Sequence, residues 1–149
     1  MAENSKREQI ITADYNLITA VPAVETAQRV MPDYTSLKCY AQTQFPVSAV
    51  VGRMPTPLEK FSDRRVNVDQ IISELKTDIF VYLQVNSDMD SMISNVADDC
   101  WAALYQDQTR DGLCIETTLE LNEKVNLWKP FAAFQITAIH KYVHDTGGI

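Results

Sequence analysis

The feature that most constrains the fold lies between Ile71 and Leu104, where a strand pattern passes directly into a helix pattern. Ile79, Val81, Leu83 and Val85 alternate with Phe80, Tyr82 and Gln84, and both sets are largely apolar until Gln84. Apolar residues on both faces mark a strand that is covered on both faces, so residues 71–85 predict a long interior strand. Ser87 then supplies an N-cap, and Asp88 and Asp90 favour the positive end of a helix dipole. Met89, Met92, Ile93, Val96, Ala97, Cys100, Trp101 and Leu104 follow at three- and four-residue steps. That spacing predicts one long amphipathic helix over residues 88–106, with Ser91, Asn95, Asp98 and Asp99 on its wet face.

The remaining segments are arranged around this pair. Ile10, Ile11, Ala13, Leu17 and Ile18 fall on one face and predict a helix over residues 5–20, ended by Pro22. Its stripe is narrow, as expected of a helix that packs along a domain edge or against a neighbouring subunit. Residues 21–40 carry a turn signal at Met31-Pro32-Asp33-Tyr34 and no clear period. Residues 45–51 are apolar and β-branched, but prolines on both flanks suggest an edge or a strand end. Residues 53–69 are polar and charged and read as a long loop. Residues 113–121 and 131–144 read as strands, and Asn122-Glu123-Lys124 as a turn or bulge between them. On the last strand Phe134, Ile136, Ala138, His140, Tyr142 and His144 share a face, and residues 145–149 form a flexible tail. Helices beside a mainly antiparallel β-sheet make an α+β domain. With only four glycines and six prolines, no flexible linker divides residues 1–149, which read as a single domain.

Little in the sequence can support catalysis or cofactor binding. A nucleophile needs a base within hydrogen-bond reach, and the histidines are His140 and His144. Four apart on a strand rising about 3.3 Å per residue, they stand on the order of 13 Å apart and cannot share a metal ion. They read as exposed or half-buried strand histidines. Asp98 and Asp99 are adjacent on a helix and diverge by about 100°, so they do not converge on one atom; Asp88, Asp90 and Asp107 mark helix ends. No GxGxxG, GxxxxGK[ST] or GxSxG string occurs. Cys39, Cys100 and Cys114 form no CxxC pair, and an odd count closes no disulfide framework, so all three read as reduced, buried thiols. The expectation is therefore no catalytic, cofactor-binding or metal residue, and no enzyme.

Partners are constrained by charge. The net charge is −7, and the nearest approaches to a basic patch are Lys6-Arg7 and Arg64-Arg65. Binding to free nucleic acid or to an anionic membrane needs clustered cations, so neither is expected. The opening MAENSKREQ lacks the apolar core of a signal peptide, and no run reaches the roughly 18 apolar residues of a membrane span. A soluble chain in a reducing compartment is expected. Trp128, Phe131 and Phe61 lie near polar loop sequence, where they either cap the core or anchor a partner.

The order of features resembles the tail terminator (tail completion) proteins of long-tailed bacteriophages. The stretches that carry the likeness are Arg7-Glu8-Gln9-Ile10 opening the first helix and Phe45-Pro46-Val47-Ser48-Ala49-Val50-Val51-Gly52 as an early strand. Ile79-Phe80-Val81-Tyr82-Leu83-Gln84-Val85 then runs into the acidic-capped helix. Next come the helix end and turn from Ala102 to Leu113, with the spacing D-x-T-x-x-G-L over Asp107, Thr109, Gly112 and Leu113. The closing strand Pro130-Phe131-Ala132-Ala133-Phe134-Gln135-Ile136 precedes a His144-Asp145-Thr146-Gly147 tail. The likeness is one of layout over most of the chain; residues 21–40 lie outside it, and the charged 53–69 stretch is longer than in the simplest members.

The resemblance implies a virion structural protein, assembled in the host cytoplasm, that forms a hexameric ring on the head-proximal end of the tail. Its partners would be further copies of itself, the tail tube protein and the head–tail connector. It would end tube polymerisation while DNA passes through the lumen. Six copies at −7 each come to roughly −42, a field that discourages phosphate adhesion. The alternatives are a head–tail joining or other neck protein of related fold, and a small ligand-binding or enzymatic domain with a pocket between the long helix and the sheet.

Overall fold

The computed structural model describes residues 5–63, 68–84, 89–126 and 131–145. In chain order the elements are α1 (Lys6–Thr19), β1 (Thr26–Gln28), α2 (Tyr34–Cys39), β2 (Val47–Gly52), β3 (Thr56–Asp63), β4 (Val68–Gln84), α3 (Met89–Tyr105), β5 (Glu116–Asn126) and β6 (Phe131–Asp145). The strands form one sheet in the order β1-β2-β4-β6-β5. Every pairing is antiparallel except the short parallel contact of β1 with β2. This is the α+β class that the sequence predicts.

The 17-residue β4 is the spine. Along one side it pairs with β6 from Gln70↔Asp145 to Gln84↔Phe131. Along the other it takes two partners in turn, β3 against its first half and β2 against its second. Leu75, Ile79, Val81 and Leu83 point to one face, together with Phe134, Ile136, Ala138 and Tyr142 of β6. Ile10, Ile11 and Ile18 of α1 and Ile93, Val96, Ala97, Cys100 and Leu104 of α3 close over them. Burying one such aliphatic side chain stabilises the fold by roughly 1.5–3 kcal/mol, so this layer dominates stability. On the opposite face a smaller cluster joins Leu37 of α2, Phe45, Val47, Ala49, Tyr82, Phe131 and Ala133.

Local chemistry fixes the helix ends. Ser5 caps α1 through its hydroxyl, which accepts from the Glu8 amide at 3.2 Å. Asp33 caps α2 in the same way, accepting from the Ser36 amide at 2.7 Å. Gly52 ends β2 where α1 crosses it, and a side-chain carbon there would overlap Ile11 Cδ1. The close approach of helix to sheet favours glycine at that position, since any larger residue would have to displace the Ile11 side chain.

Several expectations are corrected. Residues 53–69 are not one long loop, since Thr56–Asp63 pairs with β4 as β3, with a bulge between Pro57 and Glu59. A charged sequence is compatible with an edge strand. β2 is interior rather than an edge, because β1 covers its outer side. β5 begins at Glu116, later than expected, and the 122–124 irregularity is a bulge between Asn122 and Val125. Residues 21–40 contain β1 and α2. The capping role given to Ser87 and Asp88 lies outside the described residues, as does the tail beyond Asp145, which is itself the last residue of β6.

Candidate functional site

On α1 the buried stripe of Ile10, Ile11 and Ile18 is completed by an acid, Asp14, with no exposed surface. Its Oδ1 accepts from Arg110 Nε at 2.6 Å, and its Oδ2 lies 2.6 Å from His140 Nε2. With Nε2–H donating to Asp14, His140 Nδ1 is left to accept the Thr117 hydroxyl at 2.7 Å. Cys114 Sγ lies 3.5 Å from Thr117 Oγ1 and 3.9 Å from His140 Nδ1. Four separated pieces of chain (α1, the turn after α3, β5 and β6) meet in this network.

The turn after α3 delivers the arginine. Arg110, Asp111 and Gly112 all have positive φ, at 48°, 58° and 83°. For the two non-glycine residues that conformation costs roughly 1–2 kcal/mol each. Hydrogen bonds offset it: the Asp111 amide donates to Asp107 Oδ2 at 2.8 Å, and the Cys114 amide to the Thr109 carbonyl at 2.9 Å. Arg110 Nη1 donates to the carbonyls of Leu104 and Asp107, which closes the end of α3. The D-x-T-x-x-G-L spacing thus builds a compact turn whose arginine points inward.

Thiol, imidazole and carboxylate stand here in the order of a nucleophilic site. Three features oppose that chemistry. Thr117 occupies Nδ1, the nitrogen a thiol would need, and Asp14 is shared with Arg110. Burial pushes the Cys114 thiol up, away from the reactive thiolate. The cluster is also buried: Asp14 and His140 have no exposed surface, and a groove of about 430 Å³ beside α1 is lined by Arg110 but by none of Asp14, Cys114, Thr117 or His140. The network fastens elements to one another.

The opposite sheet face carries a second polar cluster. Asp78 accepts from Arg53 Nε at 2.7 Å, Gln135 Nε2 at 2.8 Å and Thr137 Oγ1 at 3.0 Å. Burial opposes its ionisation, but these donors outweigh burial and hold the carboxyl below its ordinary range.

His140 is therefore fully buried, contrary to the expected exposed or half-exposed strand position. Its partners are invisible locally, since Asp14 lies 126 residues away. His144 is half-buried, with Nε2 at 2.7 Å from Ser73 Oγ, so the two histidines meet different partners. Cys100 and Cys114 are buried as expected, whereas Cys39 is exposed at the end of α2. Asp98 and Asp99 stand exposed side by side on α3. Phe131 belongs to the core rather than to a loop, stacked on Phe45 at 5.7 Å between ring centroids. Phe61 lies in β3, and Trp128 lies outside the described residues. Asp14, Arg110 and Thr117 were not singled out by sequence, although an acid on the apolar stripe of α1 is a legible signal.

The accessible features lie along the two flanks of the sheet. Among the described residues, the outer side of β5 has no strand partner, nor does the outer side of β3. On the β1–β3 flank Val30, Met54 and Leu58 are exposed at 70%, 68% and 49%. On the β5 flank Ile115 and Leu121 are exposed at 53% and 56%. Beside Leu121 a groove of about 340 Å³ opens between α3 and β5, lined by Ile93, Ala97 and Phe134, with Ser94, Asp98 and Asn122.

Among the described residues no helix is long and apolar enough to cross a membrane, and no group of three His, Cys, Asp or Glu side chains could hold a metal ion. Compared with known proteins, the chain matches no family model and no curated sequence.

Proposed function

We propose that this domain is a non-enzymatic subunit of a homo-oligomeric ring that caps the head-proximal end of a phage tail tube. In this reading the ring has six copies, ends tube polymerisation and presents its other face to the head–tail connector. It resides in the virion after assembly in the host cytoplasm. The observation that carries the reading is the pair of flanks, on opposite sides of one sheet, that carry exposed apolar residues and no strand partner among the described residues. A ring subunit needs two different, mutually complementary sides, because head-to-tail contacts are heterologous. Isolated exposed apolar residues are ordinary; here they gather beside open strand edges, which soluble chains normally blunt or cover.

The separation of cavity from polar cluster supports a binding role over catalysis. Cys114, His140 and Asp14 are buried, and the groove between α3 and β5 is lined mainly by aliphatic and aromatic side chains. The sheet face away from α1 and α3 carries charges of both signs, with Arg53 paired to Asp78 and Lys141 to Glu116. Such a surface suits passage of DNA without adhesion.

The test is polymerisation of cognate tail-tube subunits with and without the protein. Tubes should stop at a bounded length and carry extra density at one end. Unchanged lengths and ends would remove the terminator reading, and binding to the connector alone would favour a head–tail joining protein of related fold.

A further inference from the structure

We draw no further inference here: the strongest candidate, the groove of about 430 Å³ between α1 and the 107–113 turn, is lined by Arg110, whose Nη2 has no hydrogen-bond partner among the described residues, but that nitrogen is itself buried and nothing in the structure shows what covers the groove.

Discussion

Asp14 on α1 and His140 on β6 share a contact of 2.6 Å across 126 residues of sequence, with neither side chain exposed to solvent. The same carboxylate holds Arg110 at 2.6 Å. Replacing one member of a buried ion pair leaves its partner uncompensated and costs about 3–5 kcal/mol. Asp14→Ala should therefore lower stability by that amount in chemical denaturation. Apolar replacement of Asp14, Arg110 and His140 together should recover a large part of the loss, because a buried ionic cluster and a well-packed apolar one are often close in energy.

Asp78 makes acid stability a measurable property of this fold. Its folded-state pKa is lowered from 3.8, so the stability it contributes is complete above that value and is lost as pH falls through the lower folded value. Wild type should lose stability steeply below about pH 4. Asp78→Asn should begin less stable and show a shallower slope in that range, read from denaturant midpoints. Equal slopes would contradict the assignment.

Gly52 sits where α1 crosses β2, and an added methyl would overlap the Ile11 side chain. Gly52→Ala should destabilise by about 1–3 kcal/mol, the usual cost of overpacking. Adding Ile11→Val, which shortens the opposing side chain, should restore part of the loss. A double variant no better than the single one would place the cause elsewhere.

The three thiols should separate by reactivity. Cys39 is exposed and should react with a thiol reagent in the native state. Cys100 is pushed up to about 12 by burial, with Asp99 adding to the effect, and Cys114 is also raised by burial. Both should react only on unfolding, as counted by intact mass. Cys114→Ala should leave assembly on tail tubes unchanged; loss of a function in a folded Cys114→Ala protein would reopen the case for catalysis.

Periodicity makes the two long helices and the spine strand legible in the sequence, because each has enough residues for its pattern to emerge; the break at 122–124 is legible only as a turn or a bulge, and the strand register decides for the bulge. The residues that misled did so for identifiable reasons. β3 is charged, as an edge strand can be, and charge reads as loop. β1 has three residues, too few for a period, so the flanking prolines of β2 suggest an edge or a strand end where β1 in fact pairs with it. Asp33 was legible only as part of a turn, although it caps α2. His140 could not be placed because its environment comes from α1 and the 107–114 turn, and no local window contains them. Asp14 was the accessible clue, an acid set among Ile10, Ile11 and Ile18 on one helical face.

The most direct measurement on the central claim is light scattering of the protein, alone and bound to short tail-tube fragments. Six copies per tube end, matched by a sixfold ring in electron micrographs, is the expected result. A chain that stays monomeric in both conditions, with tube and connector each supplied in excess, would contradict the ring.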